Sequence, residues 1–209
     1  MSNTDKYTQG QLREPDDSEL IALCLKEPEH RAFETIMVRY QDMVFRICFR
    51  MLCNEEDALD VAQEVFMTCY RKLHTFSGRS KFSTWLYRLA VNHCKNFWRK
   101  EGRSVTTKAL SIDQPRSEDD ERPLLEVADT NPGPRNRAEQ HQLRGIIFDR
   151  MALLKPEYRE VLILRYAEEL KYEEIAEILD CNVGTVKSRL FRAREELRPL
   201  LSKALDYAP

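Results

Sequence analysis

The chain has 209 residues, 42% of them hydrophobic and 33% charged, and its six glycines are too few for the turns of an all-β fold. This composition provides enough apolar area for packed cores, which excludes a disordered chain. No apolar run approaches the roughly 20 residues that cross a bilayer, and the polar first residues do not form a signal peptide. We therefore expect a cytoplasmic protein that does not insert into a membrane.

The first half of the chain predicts a helical bundle over residues 18–103, behind a polar tail over residues 1–17. Asp16 followed by Glu19 is typical of a capped helix start. The residues expected on the inner face of this short helix are Leu20, Leu23 and Cys24. Apolar residues then recur at helical spacing in three longer segments, which are residues 33–52, 58–73 and 83–100.

The last of these helices carries a polar stripe that fits a phosphate backbone. Its members are spaced four, three and four residues apart, and we call Arg88, Asn92, Lys95 and Arg99 the basic stripe. Just before it, aromatic side chains flank a short polar loop that fits an unstacked base, and the residues concerned are Phe76, Ser77, Gly78, Ser80, Phe82 and Trp85. The aromatic residues also fit the core of the bundle, and for Phe82 and Trp85 both roles remain open.

Residues 104–137 lose the helical periodicity, contain four prolines and predict a flexible acidic linker. The segment from Asp113 to Asp129 carries seven acids against two arginines, whereas Arg71 to Arg103 carries nine Lys and Arg against one Glu. Charge segregated in this way suggests a polyanion partner for the basic segments. A solvated surface without a partner is the alternative.

Residues 138–205 predict a second, smaller helical domain, so the fold class is all-α with two helical domains. Within it, residues 172–180 form a short amphipathic helix, 181–183 a turn and 184–201 a longer basic helix, which is a helix-turn-helix. Asp180 takes the left-handed position that ends the first helix. The longer helix presents a face suited to base edges and phosphates, formed by Lys187, Ser188, Arg189, Phe191, Arg192 and Arg194. A solvated helix with pairs such as Arg192 and Glu196 is the alternative.

The sequence gives little support to an enzyme or a metal protein. It contains no glycine-rich phosphate loop, no GxSxG and no HExxH motif, so we expect no catalytic residue, cofactor, metal or small-molecule substrate. The six cysteines form no CxxC pair and are expected to be reduced, most of them in the core. A metal cluster of Cys69, His74, His93 and Cys94 is the less favoured alternative.

Two sets of motifs, in order along the chain, resemble one known family. Tyr172 to Ala176, Val183 to Arg189 and Arg192-Ala-Arg194 are similar to the second domain of bacterial RNA polymerase sigma factors of the extracytoplasmic-function (ECF) group. The core-binding and promoter-melting segment of the same group is similar to residues 60–66, 76–79, 82–88 and 90–92. The resemblance covers residues 18–103 and 138–203.

The resemblance implies a stress-response transcription initiation factor. Its first domain would bind core RNA polymerase and melted minus-ten DNA, its second would read the minus-thirty-five duplex, and an anti-sigma factor would mask the polymerase-binding surfaces. The polymerase contact implied in the first domain is formed by Asp60, Gln63 and Glu64. We expect the acidic linker to thread the polymerase cleft near the template and nascent RNA. The alternative is a stand-alone helix-turn-helix regulator with an unrelated helical sensor domain.

Overall fold

The computed structural model describes residues 15–26, 30–100 and 145–206, and every regular element in these ranges is helical. This confirms the prediction of an all-α fold with two groups of helices. The acidic linker over residues 104–137 and most of the polar tail lie outside the described residues. None of the described helices is long and apolar enough to span a bilayer.

The first group consists of four helices around one core. They are α1 (Asp17–Lys26), α2 (His30–Leu52), α3 (Glu55–Lys72) and α4 (Phe82–Lys100), with a 3-10 turn at Leu73–Thr75 after α3. The long helix α2 packs against the other three, and α3 also packs against α4. Side chains with no exposed surface, such as Ile47, Val65 and Leu86, fill the space between them. The three long apolar periodicities therefore bury one face of each long helix, as predicted.

The first helix starts as predicted but buries a different face. Asp16 and Glu19 form a reciprocal cap, because each backbone N–H donates to the other side chain at 2.8 and 2.9 Å. The prediction that Leu23 faces inward is wrong, since its side chain is 48% exposed and Ile21 is buried instead. Only α2 and the short turn after α3 pack closely against α1 in the described part of the chain, so its buried face is narrow and centred on Leu20 and Ile21.

The second group of helices contains the predicted helix-turn-helix. Residues 145–151 form α5, followed by α6 (Pro156–Leu162), a π-helical turn (Ile163–Ala167), α7 (Tyr172–Leu179) and α8 (Val183–Asp206). Asp180 ends α7 in the left-handed conformation with φ 52°, as expected. The Asn182 side chain accepts the Thr185 N–H at 2.7 Å and so caps α8. Val186 and Leu190 anchor α8 in the core.

The two groups of helices pack directly against each other, with α7 lying along α4. Arg159 of α6 is almost fully buried at this junction, and its Nη1 donates to the Met51 carbonyl at 2.9 Å. Its guanidinium carbon also lies 5.4 Å from the centre of the Trp98 ring. Met51 belongs to the last turn of α2, where carbonyl groups lack helical partners and the helix dipole favours a cation. Arg159 therefore joins the second group to the end of α2.

Candidate nucleic-acid interface

Three aromatic residues predicted to flank the polar loop form one cluster at the start of α4. The ring centres of Phe76, Phe82 and Trp85 lie 5.4 to 5.6 Å apart. Phe82 is only 3% exposed and also contacts Tyr40, so it is a core residue in this arrangement. Phe76 and Trp85 are half-buried, so part of each residue stays accessible to solvent. Phe82 thus forms the packed part of the cluster, and we call the accessible residues Phe76 and Trp85 the aromatic rim.

The loop after Phe76 is shaped by a single glycine. Gly78 has φ +70°, a left-handed conformation that side chains disfavour, and a Cβ built there meets no atom within 4 Å. Space is therefore not the constraint at Gly78; backbone conformation is. Ser77 and Gly78 are exposed and Ser80 is half-buried, so polar groups lie beside the aromatic rim.

Sequence reasoning missed Tyr40, which supports the aromatic cluster from α2. Its ring centre lies 5.4 Å from that of Phe82, and its hydroxyl donates to Asp17 of α1. Burial raises the pKa of Tyr40, and the Asp17 carboxylate raises it further. The hydroxyl therefore stays protonated and can keep donating to Asp17, which orients the tyrosine against the cluster.

The basic stripe lies on one side of α4, as its spacing predicts. Arg88, Asn92 and Arg99 are exposed and Lys95 is half-buried, whereas Leu86, Ala90 and Cys94 on the opposite side are buried. Trp85 precedes Arg88 by three residues and shares its side of the helix. The aromatic rim and the basic stripe are thus one continuous surface.

Acidic residues of the second group of helices lie against this surface, which the sequence alone did not indicate. In the described part of the chain, three ion pairs cross the junction from α4 or the residue before it: Lys81 Nζ to Glu174 Oε1 at 2.9 Å, Arg88 Nη2 to Asp180 Oδ1 at 3.8 Å, and Lys95 Nζ to Glu160 Oε2 at 2.8 Å. Glu160 is 1% exposed, and its other oxygen lies 3.5 Å from Arg189 Nη1. Burial raises the pKa of Glu160, while Lys95 and Arg189 act in the opposite direction.

A second buried charge cluster lies where α2 ends. Glu168 pairs with Arg50, and it also accepts a hydrogen bond from the Tyr87 hydroxyl. Arg50 Nη1 donates to the Ala167 carbonyl at 3.1 Å. Two further atoms of Arg50, Nε and Nη2, are buried without a hydrogen-bond partner in the described part of the chain. Burial lowers the pKa of Arg50, although Glu168 partly opposes this effect.

The outer face of α8 presents most of its predicted residues to solvent. Those exposed are Lys187, Ser188, Phe191, Arg192 and Arg194. Arg189 differs from the prediction of an outward side chain, because it is partly buried and lies next to Glu160 of α6. Arg194 lies 5.7 Å from the centre of the Tyr166 ring, a cation–π contact that orients its side chain.

The acidic side of α3 forms a separate surface. Asp60, Gln63 and Glu64 are exposed there. Leu59 and Met67 lie on the same helix and are 47% and 61% exposed, although sequence reasoning did not select them. Both could have been selected from the sequence, because they are apolar residues of α3 at positions outside its buried apolar periodicity. Exposed apolar side chains among acids are typical of a protein-binding surface rather than a DNA-binding one.

The less favoured metal cluster is not assembled in the described residues, where no group of three potential ligands comes together. Cys69 and Cys94 are buried, and burial raises the pKa of Cys69 to about 12. His93 Nδ1 lies 3.3 Å from Glu64 Oε2, and its Nε2 lies 3.0 Å from Thr68 Oγ1. These contacts engage both ring nitrogens of His93 with protein groups.

Comparisons with known proteins identify both groups of helices. Residues 36–104 match the Sigma-70 region 2 family and residues 144–197 match the Sigma-70, region 4 family. The class of protein is therefore a sigma factor of the sigma-70 type, built from these two regions in order.

More specifically, the chain belongs to the ECF RNA polymerase sigma factors, which are transcription initiation factors. It is 38% identical over 181 residues to the ECF RNA polymerase sigma-E factor of Haemophilus influenzae, covering 85% of this chain and 93% of the relative. It is 37% identical over 183 residues to the sigma-E factor of Escherichia coli K12, covering 86% and 93%. Membership confirms the resemblance and does not favour the stand-alone regulator.

Solved structures share the two-part helical fold. The sigma factor RpoE of Bartonella quintana, in complex with the anti-sigma factor NepR, is similar with a TM-score of 0.57 and 24% identity, covering 81% of this chain and 96% of that chain. CnrH, in complex with the cytosolic domain of CnrY, gives a TM-score of 0.59 at 21% identity, covering 88% and 96%. At these identities the likeness establishes the fold alone.

Proposed function

We propose that this chain binds core RNA polymerase, directs it to specific promoters and helps to melt the DNA, acting in the cytoplasm without catalysis or a cofactor of its own. The observation that carries the proposal is the continuity of the aromatic rim with the basic stripe on α4. A rim that can hold a base, next to cations that can hold a backbone, is suited to single-stranded DNA rather than to a duplex.

Strand capture can contribute to DNA opening because the free energy gained by stacking a base on an aromatic ring is similar to the cost of unstacking it from DNA. Stacking one base on an aromatic ring contributes about 1 to 3 kcal/mol, and breaking one stacked DNA step costs about 1.4 kcal/mol. Capture of one or two bases at Phe76 and Trp85 would therefore shift a marginal opening equilibrium. Within the proposed region 2 domain, residues 18–103, the basic stripe holds the phosphates while the rim and the loop from Ser77 to Ser80 hold the base.

The second proposed domain, residues 138–205, would read the minus-thirty-five duplex with α8. An α-helix fits the major groove, and arginine donates to guanine edges in a bidentate way. Lys187, Ser188 and Arg192 project outward near the start of the helix. Asn182 caps this end, and the positive end of the helix dipole there also favours a nearby phosphate.

The acidic side of α3 is the proposed contact with core polymerase. Asp60 and Glu64 would be repelled by DNA phosphates, and Gln63 between them is neutral, whereas the exposed Leu59 and Met67 supply apolar area that a protein partner can bury. Two structurally similar proteins are found with partner chains, one of them named as an anti-sigma factor. We propose a partner of that kind for this chain, as part of a stress response.

Reconstituted transcription tests the proposal. The pure protein is mixed with core polymerase and genomic DNA, and RNA 5′ ends are mapped; defined start sites that require the chain are the expected result. Met67→Glu should abolish both core binding and these starts, whereas the control Val38→Glu, at an exposed apolar position of α2, should retain them. Duplex binding without any chain-dependent start site would instead identify a stand-alone regulator.

A further inference from the structure

Part of the surface proposed to hold melted DNA lies against acidic side chains of the second group of helices. Lys81, Arg88 and Lys95 follow one another every seven residues and so share one side of the chain entering and forming α4. Each lies within 4 Å of a carboxylate from the other group, and we call Glu160, Glu174 and Asp180 the junction carboxylates.

We propose that the junction carboxylates act as internal substitutes for DNA phosphates, holding the chain in a closed arrangement that excludes melted DNA until the two groups of helices separate. The proposal rests on the proposed function of the basic stripe. It adds that the free chain is self-inhibited for strand binding and names the three carboxylates responsible.

The closed arrangement and a bound strand exclude each other for two physical reasons. First, α7 packs directly against α4, and Glu174 and Asp180 occupy Lys81 and Arg88, where a nucleotide chain would place its phosphates. Second, Lys95 reaches a carboxylate that is almost completely buried, and a phosphate placed on Lys95 would lie beside the negative charge of Glu160. Strand binding therefore requires that the cations exchange one set of anionic partners for another.

The closed arrangement also contains features that oppose it, so it can be opened. Glu160 is charged only at a desolvation cost, which is why burial raises its pKa. Arg50, on the same junction, has two buried donor atoms without a partner in the part of the chain that the structure describes. Separation of the two groups would return these charges to water. Asn92 and Arg99 remain exposed in the closed arrangement and offer the first contact for a strand.

Strand binding by the free protein tests the proposal. Fluorescence anisotropy with a short fluorescein-labelled oligothymidine, without polymerase, compares wild type with E160Q/E174Q/D180N. We expect about tenfold tighter binding by the triple variant, which corresponds to a wild-type chain that is closed about nine-tenths of the time. The control E34Q/D42N/E56Q changes the net charge equally at exposed positions outside the junction, and it should bind within about twofold of wild type.

Small-angle scattering of the same proteins measures opening directly. The junction variant should have a larger radius of gyration than wild type and the control. Because Glu160 is buried, E174Q/D180N provides a milder variant that should shift both measurements in the same direction. Equal affinities for junction and control variants, or unchanged radii in both junction variants, would overturn the proposal. Failure of the proposed function is separate: the wild-type chain would then give no defined start sites with core polymerase.

Discussion

The described part of the chain has two basic surfaces, one paired with acidic side chains and the other exposed to solvent. On α4, Arg88 and Lys95 lie against carboxylates of the other group of helices. On α8, Lys187 and Arg192 project outward. The covered surface is the one suited to a melted strand, and the open one is suited to a duplex. The contrast leads us to expect that contact with duplex DNA precedes strand capture, because the α8 cations are accessible while Arg88 and Lys95 are still paired with carboxylates.

The largest expected effect comes from removing Arg159, which joins the two groups of helices beside the covered surface of α4. Its guanidinium donates to the carbonyls of Met51, Met151 and Ala152 while almost fully buried. Arg159→Ala leaves these acceptors unsatisfied and should lower the free energy of unfolding by about 3 kcal/mol, measured by urea denaturation. The exposed Arg198, 3.5 Å from Glu195, is the control, and Arg198→Ala should cost less than about 1 kcal/mol. Similar losses in both variants would contradict a special role for Arg159.

Arg192 tests the role of the exposed basic surface of α8. Arg192→Ala should weaken holoenzyme binding to the cognate upstream element by about 1 to 3 kcal/mol and flatten sequence discrimination. Its stability should change by less than about 0.5 kcal/mol, because the side chain is exposed. Competition binding with cognate and scrambled elements measures the effect. An equal loss on scrambled DNA would identify a phosphate contact rather than base recognition.

A substitution at Trp85 tests whether this side chain captures a DNA base or only packs in the core of the first group of helices. Trp85→Ala should reduce initiation on intact duplex by about tenfold more than on a template with a pre-melted bubble, since the bubble supplies the opening energy that stacking would provide. Run-off transcription on the two templates measures this ratio. Trp98, the other tryptophan of α4, contacts Arg159 and is the control, so Trp98→Ala should affect both templates alike. If Trp85→Ala also affects both alike and loosens the domain, Trp85 is a core residue.

The smallest expected effect concerns the pH dependence of Glu174. The Lys171 N–H and then Lys81 lower the pKa of this carboxyl below its ordinary value of 4.5. A carboxyl with a lowered pKa in the folded state stabilises the protein above pH 4.5 and loses this contribution as the pH falls through the lowered value. Wild type should therefore exceed Glu174→Gln by at most about 1 kcal/mol at neutral pH. The difference should shrink in acid, measured by urea denaturation at several pH values; a constant difference would contradict the assignment.

Much of the fold could be predicted from the sequence because its determinants are local. The caps at Asp16 and Glu19, the turn at Asp180 and the periodicities of α2 to α4 each depend on residues within a few positions of one another. The exposed Leu23 was mispredicted because burial of a short helix depends on which neighbours reach it, and that information is not local.

The candidate site was predictable as two sets of residues but not as one arrangement. Spacing alone placed Arg88, Asn92, Lys95 and Arg99 on one side of a helix, and the aromatic residues next to it. Their acidic partners come from a segment about 65 to 93 positions further along the chain, as in Lys95 with Glu160 and Lys81 with Glu174. No periodicity connects residues across such a distance, so the covering of the basic stripe is visible only in the folded chain.

The π-helical turn at Ile163–Ala167 sets the angular position of Glu168. Its wide hydrogen bond, from the Glu168 N–H to the Ile163 carbonyl at 3.0 Å, accommodates one more residue than an α-helical turn. Deleting one residue from this turn would restore ordinary helical winding and rotate Glu168 by about 100° around the axis. Its carboxylate would then swing away from Arg50 and Tyr87. A single-residue insertion thus acts as an angular spacer, and the mutual fit of the two halves of the molecule depends on the length of that turn as much as on the chemistry of its side chains.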